Sequence, residues 1–266
     1  MTLRGGGGLP ATLRDVPPRV LVWAAAGLLA GCVTTSSGLP NAKPNLVRAA
    51  QINTQLGADY AQRAEYARAK AKLQRAISEN SDYAPAHATL AFVYWRTGKP
   101  AEAEREYRRA LDLDPDDPDT QNNFGTFLCR QGKGGQAQKY FQRALANPNY
   151  ATPAAAWTNA GVCALTMNKP RVAERDFESA LHADPNFVQA LDQLAQLSFQ
   201  RGRYLRAQAL EQHYASLAKP GPAMLLLSAQ TERALGHAAR ARDLEVQLVQ
   251  TYPQSQEAAH TNVSSP

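Results

Sequence analysis

Three cysteines, five histidines and one run of aspartates are the side chains of this 266-residue chain with the most chemistry to offer. Cys129 and Cys163 lie 34 residues apart, a separation that becomes meaningful only if the chain repeats at that interval. His87, His182, His213, His237 and His260 are scattered singly, and no two have the spacing that places metal ligands on one helical face. Asp112, Asp114, Asp116, Asp117 and Asp119 have the outward look of a calcium loop. They straddle Pro115 and Pro118, however, and lack the central glycine and terminal glutamate that such a loop needs, so helix-end and linker carboxylates describe them better. A catalytic constellation would have to be hidden in a groove, for instance around His87 and Asp59. No catalytic residue, metal ligand set or cofactor is assigned, and the expectation is binding rather than catalysis.

The elements that position these residues follow from a 34-residue period. Units start at Ala50, Ala84, Pro118, Ala154, Val188 and Pro222 and span 50–83, 84–117, 118–151, 154–187, 188–221 and 222–255. Their eighth positions are Gly57, Ala91, Gly125, Gly161, Ala195 and Ala229, and their twentieth are Ala69, Ala103, Ala137, Ala173, Ala207 and Ala241. Small residues at both places let two helices of a hairpin approach closely. Position fifteen carries Gly98, Gly132, Asn168, Gly202 and Gly236, which accept a left-handed helix end; only Ala64 departs. Pro115, Pro185, Pro220 and Pro253 close four of the units.

Leu56, Leu90, Phe124 and Leu194 at position seven, with Leu73, Tyr107, Phe141 and Phe177 at position twenty-four, read as the core between hairpins. Two residues around Thr152 and Pro153 break the spacing once. The last unit, with Ser228, Glu232 and Glu245 at usually apolar positions, reads as a polar cap. The pattern is that of a tetratricopeptide repeat (TPR) array, and the expected fold is an all-α solenoid of six helix-turn-helix repeats in a right-handed superhelix.

Within that frame Cys129 and Cys163 fall at positions twelve and ten of neighbouring first helices. A disulfide between them is feasible in an oxidising compartment. Closing the interval would stabilise by roughly 3 to 4 kcal/mol; two packed free thiols are the alternative.

The N-terminal fifty residues are of another kind. Arg4, Arg14 and Arg19 precede an apolar stretch from Val20 to Ala30, too short for the ~20 residues that span a bilayer. Residues 1–31 therefore read as a signal peptide. Its end, Leu29-Ala30-Gly31-Cys32, is similar to a bacterial lipobox, which implies cleavage before Cys32 and acylation of that residue. Two or more acyl chains anchor a protein stably. Sorting rules known for lipoproteins associate Asp after the lipidated cysteine with inner-membrane retention; Val33 stands there, which favours the periplasmic face of the outer membrane. Residues 32–49 read as the lipidated cysteine and a flexible tether, the seventeen after Cys32 reaching about 60 Å stretched and roughly 20 to 25 Å as a coil. Residues 256–266 read as a polar tail.

Removing the three basic and one acidic residues before Cys32 from totals of 29 and 23 leaves 26 basic and 22 acidic side chains. That mild, dispersed excess has no basic cluster, and nucleic acid is not an expected partner.

First helices of such arrays line a concave face. Gln55, Thr89, Asn123, Asn159 and Gln193 at position six would form a row of mainly amides able to pair with an extended peptide backbone. Asn122, Thr126, Arg130, Asp192 and Gln196 add polar groups; Phe92, Trp95, Val162, Leu165 and Phe199 add apolar contacts. Arg96 and Arg130 are placed to receive a carboxylate. This mixture suits a protein segment better than a small-molecule substrate, although the amides would equally serve to satisfy neighbouring helices.

The run NNFGTFLCRQGK from Asn122 to Lys133, the segment WTNAGVCAL from Trp157 to Leu165, and AERDFESAL from Ala173 to Leu181 resemble the third and fourth repeats of the PilF/PilW type IV pilus biogenesis lipoproteins. The lipobox, the six repeats and the Cys129 and Cys163 pair resemble that family too. The resemblance implies a pilotin, an outer-membrane lipoprotein that binds the pilus secretin PilQ and helps it assemble. Lipoproteins that scaffold cell-wall enzymes or serve outer-membrane protein insertion are the alternatives.

Overall fold

A computed structural model of the chain describes residues 45–259 and residue 261. The segment read as a signal peptide, Cys32, most of the tether, and His260 lie outside the described residues. Twelve helices form six antiparallel hairpins: α1 (Leu46–Gln62) with α2 (Tyr66–Glu79), α3 (Ala84–Arg96) with α4 (Pro100–Leu113), α5 (Pro118–Arg130) with α6 (Gly134–Ala146), α7 (Pro153–Thr166) with α8 (Pro170–Ala183), α9 (Val188–Gln200) with α10 (Tyr204–Leu217), and α11 (Pro222–Ala234) with α12 (Ala238–Thr251). A short α13 (Gln256–Ala259) follows. Each helix packs on the next, and α1, α3, α5, α7, α9 and α11 also approach one another in succession. Among the described residues no such approach joins successive second helices, so the first helices form the inner row of the stack.

The local causes are the ones the sequence carries. Proline opens α4, α5, α7, α8 and α11, where its fixed φ suits the first turn and its missing N–H costs nothing. Where α2, α6 and α8 end, Asn80, Asn147 and Asp184 turn the chain, each accepting the amide of the residue two further on at 2.9 to 3.1 Å. Of the aspartate run, Asp114 is the C-cap of α4 and Asp117 the N-cap of α5, accepting the Thr120 amide at 3.0 Å. Within the hairpins the chain passes through the left-handed region at Gly98, Gly132, Asn168, Gly202 and Gly236 alike. Ala64, the apparent exception, does the same with φ +58°, so the first hairpin keeps the geometry at the expense of strain.

The alanines at position twenty are all fully buried. A Cβ added to Gly161 would stand 2.5 Å from Cε1 of Phe177, and one on Gly125 would stand 2.8 Å from Phe141. The rings thus rest on bare backbone. Ion pairs also recur at the repeat interval: Glu104 takes Lys133 at 2.7 Å, and Glu174, at the same repeat position, takes Arg201 and Arg206 at 2.8 and 2.7 Å with Arg203 close by. Partly exposed pairs of this kind contribute about 0 to 1 kcal/mol each, so they strap hairpins that apolar burial already holds.

Four sequence expectations are corrected. Leu56, read as core, is 38% exposed, because it sits on the face of α1 that an earlier repeat would cover. Helix α1 begins at Leu46, inside the segment read as tether: the Asn45 side chain caps it, accepting the Arg48 amide at 3.0 Å, and Ala50 is buried against Ala76 and Ala86. Glu232 and Glu245 do not form an exposed polar cap. They are 3% and 7% exposed inside the last hairpins, where Gln208, His237 and Arg240 meet Glu232 and Arg233 meets Glu245. The end of the stack is covered instead by α13, taken from the segment read as a polar tail, with Ala258 buried beside Leu225, Leu248 and Val249.

Two substitutions separate these causes. Ala64→Gly relieves about 1 to 2 kcal/mol of left-handed strain and returns about 0.5 to 1 kcal/mol through the unfolded chain, so denaturant unfolding should show a net gain. Gly161→Ala gains about 1 kcal/mol of helix propensity but forces Phe177 out of a filled site at about 1 to 3 kcal/mol. It should lower the unfolding midpoint, while Gly135→Ala, with open space around it, should not.

Candidate functional site

The inner row forms a cleft of about 540 Å³ where α1, α3 and α5 converge. Thr89, Phe92 and Arg96 of α3 make one wall, Ala58 and Gln62 of α1 another, and Asn123 of α5 the third. These residues sit together because a first-helix face returns every 34 residues and successive first helices touch. Phe92 meets Trp95 edge-on at 6.2 Å, and Trp95 meets Phe127 edge-on at 6.0 Å. The Arg130 guanidinium stands 5.7 Å from the Trp95 ring centre, while that of Arg96 stands 5.6 Å from both Phe92 and Tyr66. A cation seated on a ring face is held by the quadrupole while its N–H edges stay available, so the two arginines present pre-positioned donors.

The predicted amide row is divided. Asn123 is exposed in the cleft and has no hydrogen-bond partner among the described residues. Asn122 is buried and accepts from Asn159 at 3.0 Å, so these two amides join α5 to α7. The Thr126 hydroxyl donates to the Asn122 carbonyl at 3.0 Å. Gln196 donates to Asp192 at 2.8 Å, and Gln193 reaches the same carboxylate at 3.5 Å, where the bond is weak. Gln55 donates to Asp59 one turn along. The N-terminal half of the groove is therefore open for recognition, and the middle is occupied by its own side chains. A second cleft of about 360 Å³ lies further along between Phe199 and Gln196 of α9, Leu227 of α11 and Glu257 of α13.

Asp119 and Tyr66 also line the first cleft and were not assigned from the sequence. Asp119 occupies position two of its unit, a groove position, but was grouped with the linker aspartates around it. Desolvation, together with the neighbouring Asp117 charge, raises its carboxyl above the usual carboxylate range. Beside Arg96, it gives the cleft both signs of charge.

His87 and Asp59 are not brought together as an acid–base pair. His87 is buried, with Nδ1 at 2.7 Å from Glu106 of α4 and Nε2 at 3.0 Å from the Ser81 carbonyl. Burial works to lower its pKa, but the hydrogen bonds with Glu106 and the carbonyl prevail and raise it. The imidazole is a clasp between α3 and α4.

Cys129 of α5 and Cys163 of α7 have Cα atoms 5.7 Å apart and are joined as a disulfide. The bond ties the α5 wall of the groove to α7 in its middle. Reduction, or Cys163→Ser, should cost about 3 to 4 kcal/mol on the loop-entropy estimate. Unfolding with and without reductant checks it: the parent should shift and the variant should not.

Two stretches, residues 60–123 and 164–219, match models of the tetratricopeptide repeat. Over 238 residues the chain is 29% identical to the type IV pilus assembly protein PilF of Pseudomonas aeruginosa, spanning 89% of this chain and 94% of that protein. It is 32% identical over 157 residues to an uncharacterized protein of Haemophilus influenzae, spanning 59% and 86% of the two. Among solved structures, it aligns with Pseudomonas aeruginosa PilF at a TM-score of 0.73 and 28% identity, covering 80% of this chain and 96% of that one. With PilW, a widely conserved type IV pilus biogenesis factor, the TM-score is 0.72 and the identity 31%, covering 79% and 96%.

Proposed function

This chain belongs to the PilF/PilW family of tetratricopeptide-repeat proteins of type IV pilus biogenesis, and on that premise we propose that it is a pilotin, a scaffold that delivers the pilus secretin to the outer membrane and promotes its multimerisation. The division of labour is physical: acyl chains on Cys32 supply the address, and the solenoid supplies the grip. The basic n-region, apolar core and Leu29-Ala30-Gly31-Cys32 box support the anchor, and Val33 supports the outer membrane. In an oxidising periplasm the Cys129 and Cys163 bridge forms and holds the groove wall in place.

The observation that carries the reading is the cleft of α1, α3 and α5, where Asn123 is open and Arg96 is seated on the Phe92 and Tyr66 rings, while Arg130 sits on Trp95 outside the cleft lining. It offers an extended protein segment an amide for its backbone, rings for apolar side chains and a fixed cation for a carboxylate. Such a surface binds without a chemical step, consistent with a scaffold.

Two variants test the two halves. Cys32→Ala should leave a folded chain that fractionates away from the outer membrane, with secretin multimers reduced or stranded at the inner membrane; normal multimers in the outer membrane would remove the pilotin role. Asn123→Arg, exposed and so compatible with folding, should fill the cleft. Loss of one central contact of about 1.4 kcal/mol weakens secretin binding roughly tenfold, and unchanged binding would move the interface elsewhere.

A further inference from the structure

The two ends of the solenoid are finished differently. At the C-terminal end α13 folds back on α11 and α12. At the N-terminal end α1 is bare, and it carries four of the seven large hydrophobic side chains found exposed among the described residues: Leu46 at 51%, Val47 at 52%, Ile52 at 53% and Leu56 at 38%. Ile52 and Leu56 are one turn apart on the side of α1 opposite its buried Ala50, Thr54, Gly57 and Ala61, and Asp59 shares that side; by helical spacing Leu46 lies at its margin, whereas Val47 lies on another side of the first turn. Arg48 and Arg63 flank them, and neither has a carboxylate partner among the described residues. Helix α2 behind them adds Arg68, Lys70, Lys72 and Arg75 against Glu79 alone within its span.

We propose that the outward face of α1 is a membrane-contact surface, with Ile52 and Leu56, and Leu46 at their margin, at the acyl–headgroup boundary, Arg48 and Arg63 on anionic phosphates, and Asp59, bonded by Gln55, at the headgroup level. The proposal rests on the acylation of Cys32 argued above. The occupant follows from where the bare face lies: Leu46 is fourteen residues after Cys32, so the intervening chain spans at most about 50 Å and roughly 20 Å as a coil. Whatever the rest of the solenoid does, α1 is the element nearest the bilayer along the chain. Three side chains give little affinity by themselves, but tethering turns the contact into an intramolecular one at roughly millimolar effective concentration. Apolar side chains with basic neighbours are the composition that holds a helix in a lipid interface. The contact fixes one end of the solenoid at the bilayer.

The test uses the acylated protein purified from membranes and reconstituted into phosphatidylethanolamine–phosphatidylglycerol vesicles with brominated acyl chains. The fluorophore NBD is attached at Ile52→Cys or, in a separate variant, at Leu205→Cys on α10, which is 72% exposed. Both positions are exposed, and the native disulfide is kept by labelling without reductant. The expected result is loss of fluorescence by bromolipid quenching at 52 and none at 205, with the loss at 52 abolished by adding Leu56→Glu. No quenching at 52, equal quenching at both positions, or a blue shift at 52 that grows with protein density without bromolipid quenching overturns the proposal, the last outcome assigning the face to a second copy of the chain. Mass spectrometry of the N-terminal peptide is read first: a chain lacking acyl groups overturns the anchor and this proposal together, whereas an acylated chain with an unquenched probe overturns this proposal alone.

Discussion

Everything in this solenoid depends on how closely the two helices of a hairpin approach. The contact is made by absent atoms: Gly57 leaves room for Leu73, Gly125 for Phe141 and Gly161 for Phe177, while buried alanines occupy the facing position of every second helix. A large side chain on one helix then packs directly on the backbone of the other, and the hairpin presents a continuous apolar flank to the next. Since no hairpin covers that flank alone, stability comes from stacking. The inner row of first helices, and hence the groove, is a by-product of this packing rule.

Along the groove the repeats have diverged in their polar chemistry while keeping that rule. In the N-terminal half, Phe92, Tyr66 and Arg96 line an open cleft. In the middle, Asn122 and Asn159 satisfy each other, and the disulfide between Cys129 and Cys163 adds a covalent tie between the same two helices. In the last hairpins Glu211, Glu232 and Glu245 are buried among Thr231, Gln208, Arg233 and Arg240. Burial raises the Glu211 carboxyl, whereas hydrogen bonds from Gln208 and His237 outweigh desolvation at Glu232 and lower it. A recognition surface placed at the open end and a rigid middle is a sensible arrangement for a scaffold, because a partner bound there meets little internal competition for hydrogen bonds.

The ends obey a separate constraint. A stack must terminate, and each terminal flank has to be covered, made polar, or given a partner. At the C-terminus α13 covers it. At the N-terminal end of the stack Ile52 and Leu56 are left uncovered on α1.

Much of this is legible in the residues alone. The 34-residue period, the small residues at positions eight and twenty, and the left-handed turn positions determine six helical hairpins, because each is a local requirement that one residue type meets. Leu56 shows where such reasoning stops: it has the residue type of a core position, but burial is set by whether a neighbour exists, and that is a property of the stack. Ala64 shows the converse, since the fold imposes a left-handed turn on a residue that does not favour one. Glu232 and Glu245 looked like surface until packing placed their partners around them. The amide row was likewise visible as residues, but which amides face a ligand and which bond one another depends on distances between helices 37 residues apart in sequence. Local chemistry determined the hairpins; their contacts with one another decided which side chains remain free to act.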